Sequence, residues 1–238
     1  MVKSAFLDFV RLIAAGNEAE VFRRLAADPA LATMPLDVGA TRQRASDFFF
    51  TDIVHYVYAG DTALHVAAAA FRRPIAERLV ARGADCRARN RRGAEPLHYA
   101  ADANRFSPAA QAEVIEYLVS IGADPNAVDR SGVAPLHRAV RTRSLAAVRA
   151  LLDGGANPRQ RNKNGSTPLH LAVQTTGRGG AGSERARQQQ AGIVTLLLER
   201  GTKRTDRDGH GKQAHHVATA WTRALLMNET TGSHGDAG

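Results

Sequence analysis

The chain has 238 residues, 44% of them apolar and 23% charged, which is the balance of an ordinary soluble protein and excludes a disordered one. Its single cysteine excludes an internal disulfide and a CxxC zinc site. The net charge is +9, and 28 of the 32 basic residues are Arg. That skew suits phosphate or carboxylate recognition, or it follows codon bias in a GC-rich genome.

From the N-terminus, Met1 to Ala15 is apolar, but Asp8 and Arg11 interrupt it. Neither a signal peptide nor a membrane span fits, and a soluble cytoplasmic protein is expected. Phe6, Phe9, Val10 and Ile13 are helically spaced, as are Val21, Phe22 and Leu25, with Gly16-Asn17 as a break between them. Residues 1–31 therefore predict a helix pair. Residues 32–58 form a long connection with six aromatic rings within eleven residues, from Phe48 to Tyr58. Such a segment is functional or disordered, and this density of rings argues against disorder. It is expected to fold back, either sealing the first junction of the downstream units or forming a binding lip.

Next come four similar tetrapeptides: Thr62-Ala63-Leu64-His65, Glu95-Pro96-Leu97-His98, Ala134-Pro135-Leu136-His137 and Thr167-Pro168-Leu169-His170, then a degraded Gln213-Ala214-His215-His216. Gly83, Gly122, Gly155 and Gly201 each stand 15 residues before the next marker His. The basic unit is 33 residues, and two units carry insertions, of 6 residues near 103–108 and of 13 within 174–190. Pro at a first helical turn loses no hydrogen bond. Leu169, Ala172 and Val173 make one apolar stripe; Val114, Ile115, Leu118 and Val119, or Val148, Leu151 and Leu152, make another. The Gly after each second helix suits a terminus that needs φ > 0, and Asp129-Arg130-Ser131-Gly132 suits a tight reversal. One helix pair cannot bury its own apolar face, so the units must stack.

The 33-residue period with Thr167-Pro168-Leu169-His170-Leu171-Ala172, and the segment Gly122-Ala123-Asp124-Pro125-Asn126-Ala127, resemble the ankyrin repeat over about residues 58–220. The resemblance implies an all-α ankyrin-repeat solenoid of stacked helix pairs with β-turn fingers: about five repeats over 59–227, with residues 1–31 as a divergent N-terminal capping pair. Both insertions should emerge opposite the fingers. The second is Gly/Ser-rich and is expected to be mobile; the polar tail 228–238 is expected to be disordered.

Chemistry is weakly signalled. The resemblance implies that His65, His98, His137 and His170 brace the fingers. His215-His216 has no carboxylate at a ligand spacing, so no metal is expected. The run Gly177-Arg178-Gly179-Gly180-Ala181-Gly182 satisfies GxGxxG but follows a helix, not a strand, so no nucleotide cofactor is expected. Arg87 could lower the Cys86 pKa, but no base accompanies it, and Cys86 reads as a plain surface thiol. No catalytic residues are expected. An enzyme would need a deep pocket with converging polar groups under residues 40–58.

The resemblance places partners on the finger tips and on the exposed side of the first helices. One finger column holds Arg89, Val128, Arg161 and Arg207; the tip column holds Arg91, Arg130, Lys163 and Gly209; the position after each marker His holds Val66, Tyr99, Arg138, Leu171 and Val217. The four fingers together carry +6, whereas residues 1–58 carry −1. The expected function is a non-enzymatic protein–protein interaction module that presents a rigid concave surface with basic fingers to an acidic partner. The expected contact residues are Tyr58, Arg89, Arg91, Arg92, Tyr99, Arg130, Arg138, Arg161, Lys163 and Leu171. The alternative is non-specific nucleic-acid binding through the same row, with steep salt dependence.

Overall fold

The computed structural model describes residues 2–102, 107–174 and 183–227. The tail 228–238 and the glycine-rich run 177–182 lie outside the described residues. The chain begins with two helices, α1 (Val2–Ala15) and α2 (Glu18–Ala27). Gly16 turns the chain at φ 75°, and the Asn17 side chain accepts from the Glu20 N–H at 3.2 Å to start α2. Phe6, Phe9, Val10 and Ile13 are buried in the core.

Five further helix pairs come next among the described residues: α3 (Ala63–Ala69) with α4 (Arg73–Val80), α5 (Pro96–Ala101) with α6 (Pro108–Ser120), α7 (Pro135–Arg141) with α8 (Leu145–Asp153), α9 (Pro168–Ala172) with α10 (Glu184–Glu199), and α11 (Ala214–Val217) with α12 (Ala220–Met227). The first helices stack in the order α1, α3, α5, α7, α9, and the second helices α2, α4, α6, α8, α10 stack behind them. Leu64, Leu97, Leu136 and Leu169 from the front row meet Ile75, Ile115, Leu151 and Leu197 from the back row in one continuous core. This is the stacked-pair solenoid that the 33-residue ruler implies.

Each marker histidine does the same two jobs. Nδ1 of His65, His98, His137 and His170 accepts the backbone N–H three residues earlier, at 3.1, 3.2, 3.1 and 3.3 Å. Nε2 donates to a carbonyl of the next finger: Ala94, Val133, Gln160 and Lys212, at 3.1, 3.1, 3.1 and 2.9 Å. The neutral Nε2–H tautomer therefore satisfies both contacts. One ring starts its own helix and binds its neighbour. His216 keeps the first bond, to Gln213 N–H at 3.1 Å, but is exposed, and among the described residues no further finger is stacked on it.

The glycines that close the second helices, Gly83, Gly122, Gly155 and Gly201, have φ of 90°, 98°, 90° and 89°, as a left-handed helix end requires. At the fingers, Asn90, Asp129, Asn162 and Asp208 each accept two backbone N–H groups on Oδ1, from the residues two and four positions later. Such a side chain stands in for a missing strand partner and fixes the reversal.

The second helices of the two inserted units are longer than those of the regular units. α6 has 13 residues and α10 has 16, against 8 for α4 and 9 for α8. Much of the inserted length is extra helix. Residues 184–190, expected within a Gly/Ser-rich mobile segment, are the first turns of α10, and Ser183 caps them by accepting from Ala186 N–H at 3.3 Å. The reason is sequence beyond the glycines: the Glu-Arg-Ala-Arg-Gln run from Glu184 favours helix.

Candidate interaction cleft

Residues 33–58 lie as a strap that reaches from α1 to α5. Leu36 N–H donates to Asp61 O and Gly60 N–H to Leu36 O, both at 2.7 Å, and Ala40 N–H donates to Val57 O at 2.8 Å. A two-residue hairpin, β1 (Phe49–Phe50) with β2 (His55–Tyr56), pairs Phe49 with Tyr56 and Phe50 with His55. The alternation of the hairpin sends Phe48, Phe50, Ile53 and Val57 into the core and leaves Val54 and Tyr56 exposed. The strap both seals the junction and forms a lip.

Beneath the lip is a cavity of about 410 Å³. Val54, His55, Tyr56 and Tyr58 line one side, and Arg92, Ser131, Arg138 and Arg141, from two fingers and α7, line the other. Under it runs a buried polar network. The Asp61 carboxylate, 0% exposed, accepts from Tyr58 N–H at 2.6 Å, Asn90 Nδ2 at 2.8 Å and Tyr99 hydroxyl at 2.7 Å. Burial, then the Asp61 charge, raises the Tyr99 phenol well above its ordinary value.

At the cavity wall Arg138 bridges two carboxylates, Asp102 at 3.2 Å and Asp129 at 2.9 Å. Burial alone would raise both acids; the hydrogen bonds they accept and the nearby cations prevail and hold both below the usual carboxylate range. The His55 ring stacks on Tyr99 at 4.5 Å between centroids, its Nδ1 is 2.6 Å from Tyr56 O, and its Nε2 is 3.7 Å from Asp102. These polar groups do converge under the strap. They saturate one another as fixed charge pairs, rather than presenting a nucleophile beside a base.

The expected contact residues divide into two sets. Arg92, Arg130 and Lys163 are exposed at the tips, and Arg130 N–H donates to Arg92 O at 2.9 Å, so the tips form a ladder. Among the described residues, the Arg130 and Lys163 side chains make no hydrogen bond or ion pair. Arg92 and Arg91 lie over the Tyr58 ring at 4.9 and 5.6 Å, and Arg92 also donates to the Tyr58 hydroxyl at 3.0 Å.

The other set is exposed as well, but its guanidinium groups are bonded within the molecule. Arg91 donates to Ala40 O and ties the strap to the second finger. Arg89 donates to the buried Glu95 at 3.0 Å. Arg161 donates to Gly165 O at 2.9 Å and to Arg207 O. All five position-after-histidine residues correct the expectation of exposure. Val66 is 0% exposed and Val217 is partly buried. Tyr99 is 1% exposed, because the strap covers the second unit and Asp61 takes its hydroxyl. Arg138 has a side chain only 11% exposed and is spent on its two aspartates. Leu171 is partly buried against the core. Residues four after the helix-ending glycines are also used in stacking: Arg87 donates to Gly122 O at 2.7 Å, Asn126 to Gly155 O at 3.0 Å, and Arg159 holds Asp206 by two bonds of 3.0 and 2.6 Å. Much of the Arg excess is thus structural.

A family model described as ankyrin repeats (3 copies) matches residues 12–129 and 106–181. The chain belongs to the ankyrin repeat family. Ankyrin repeats are in general protein–protein interaction modules. No curated protein matches the chain. No helix among the described residues is long and apolar enough to cross a membrane.

Sequence reading missed Asp61, Asn90, Asp102, Asp129 and His55. A signal was present for two of them: an Asn or Asp stands eight residues before His98, His137, His170 and His216, at 90, 129, 162 and 208.

Proposed function

We propose that this ankyrin-repeat protein is a cytoplasmic, non-enzymatic scaffold that binds an acidic segment of a partner protein along its fingertip ladder and the cleft beside it. The observation that carries this is the exposure of Arg92, Arg130 and Lys163 on consecutive fingers, with Arg92 and Arg130 joined by a backbone bond, while Arg89, Arg91 and Arg161, equally exposed, spend hydrogen bonds on acceptors of the molecule itself. A rigid row of cations loses little entropy on binding and pairs well with carboxylates.

The test is affinity capture at moderate salt, with and without nuclease, comparing the native chain with Arg130→Glu/Lys163→Glu. The expected result is a protein partner retained after nuclease and lost from the reversed variant. A partner retained by that variant overturns the reading. Capture abolished by nuclease transfers the row to nucleic acid instead.

A further inference from the structure

Resting on that interaction reading, the geometry points to a more specific ligand. We propose that the 410 Å³ cavity under the strap is a side-chain pocket for a partner motif that places a carboxylate beside a large apolar residue. The volume lies near the small end of ligand pockets, enough for one or two side chains rather than a folded surface.

The cationic half of the pocket is found by elimination. Arg138 is neutralised by Asp102 and Asp129, and the other Asp129 oxygen accepts the Ser131 and Val133 N–H groups at 2.8 and 3.1 Å. Two exposed arginines remain on the lining. Arg92 bonds only to the neutral Tyr58 hydroxyl, and the Arg141 side chain makes no hydrogen bond or ion pair among the described residues, although it lies within Coulombic reach of Asp102. An incoming carboxylate supplies what either of these two lacks.

The apolar half is the lip. Val54 is 42% exposed and Tyr56 40%, two of the few large apolar side chains the described surface leaves out. Val54 also sits at φ 50°, a left-handed conformation that a β-branched residue rarely adopts. Holding Val54 there keeps it on the cavity side of the hairpin. Its neighbours Phe50 and Ile53 are locked in the core, and Phe49 packs on Tyr56 at 4.9 Å, so the lip is anchored rather than loose. An acid side chain alone would leave this apolar surface wet, and an apolar one alone would leave the guanidinium pair unmatched.

The experiment is an NMR titration of the full chain, isotope-labelled, with three capped hexapeptides at millimolar concentration: Gly-Ser-Glu-Phe-Gly-Ser, its Gln-Phe analogue and its Glu-Ser analogue. The first should shift backbone signals of residues 54–58, 92 and 141 and bind about tenfold more tightly than either analogue, the worth of one charge-assisted contact or one buried ring. Arg92→Gln/Arg141→Gln should remove that preference for Glu over Gln, and Tyr56→Ser the preference for Phe over Ser, both variants keeping the native melting temperature. No shift at these residues with the first peptide, equal binding of all three, or the same shifts from inorganic phosphate alone would each overturn the proposal. The capture experiment separates the two readings. A partner lost on Arg130→Glu/Lys163→Glu but untouched by Arg92→Gln/Arg141→Gln leaves the ladder standing and removes the pocket.

Discussion

The Tyr99 hydroxyl donates to the Asp61 carboxylate at 2.7 Å, and Asn90 reaches both of them, at 3.0 and 2.8 Å. These three residues come from the second unit's first helix, the residue before the first marker tetrapeptide, and the finger between the two. Asp61 also takes the Tyr58 N–H at the end of the strap. One buried carboxylate therefore joins strap, finger and two repeats. Removing it takes the acceptor from the buried Tyr99 hydroxyl and the part-buried Tyr58 N–H and leaves Asn90 Nδ2 with Tyr99 alone. Asp61→Ala is expected to cost about 3–5 kcal/mol, and Tyr99→Phe about 1–3 kcal/mol. Because the two act on one bond, the double variant should fall well short of the sum of the singles in urea unfolding. Additive losses would show that the network is not a unit.

Acid should weaken the array through its histidine braces. Burial holds His65, His98 and His137 below the ordinary imidazole value, and His98, with the Arg138 guanidinium as a second cause, is lowered to about 3. The unfolded chain titrates these rings near 6.5, so below that pH it binds protons that the folded chain refuses. The stability they provide is complete above about pH 6.5 and is lost on acidification, at about 1.4 kcal/mol per pH unit for His98 down to its folded value. Asp102 and Asp129, both lowered in the fold, add their own loss at more acid pH. Urea midpoints measured from about pH 7 to pH 5 should fall steadily, and His98→Gln should be weaker at neutral pH with a shallower slope. A flat profile would contradict the bonding of these rings.

The array is legible in the sequence because its repeating constraints are local. A His three residues after the cap, a Gly at the helix end and an Asn or Asp at the reversal each answer to backbone geometry within a few positions, so their spacing alone carries the fold. The strap and cleft are not local. Tyr99 stands in the column where Arg138 and Leu171 stand, and nothing within its own unit says that residues 36–58 cover it; its burial depends on Asp61, 38 positions away. His55 and Asp102 meet for the same reason across 47 positions. Charge misled in a related way. The arginine columns are real, but whether a guanidinium faces water or a carbonyl four residues on, as Arg161 and Arg207 do with Gly165 O and Gly211 O, is decided by the finger's curvature rather than by composition.

The two inserted units share a brace that the regular units lack. Gln111 and Gln190 each stand eleven residues before the helix-ending glycine, are buried, and donate from Nε2 to Ala100 O at 2.8 Å and to Ala172 O at 2.6 Å. Those carbonyls lie at the end of the preceding first helix, where no intrahelical donor remains. Gln111 also accepts the Ser144 hydroxyl at 2.6 Å. Gln111→Ala and Gln190→Ala should each lower stability by about 1–3 kcal/mol. Faster amide exchange should appear first at the ends of α5 and α9, since the lost bond is a cap rather than a core contact. Unchanged exchange at those ends would show that the length of α6 and α10, and not the glutamine, holds the insertion.

Cys86 should behave as a protected thiol. It sits half-buried in the first finger with Sγ 3.7 Å from Ile121 O, and burial, then the Asp85 charge, raises its pKa. Arg87, the neighbour expected to favour the thiolate, has its Nε committed to Gly122 O at 2.7 Å, and its charge is outweighed. Since only the thiolate attacks, modification by a maleimide at neutral pH should be slower than for the unfolded chain by roughly tenfold or more. Arg87→Ala should loosen the contact between the first finger and Gly122 and speed the labelling, even though it removes a cation from beside the thiol. Slower labelling in that variant would mean that electrostatic activation by Arg87, and not shielding, governs the reactivity of the cysteine.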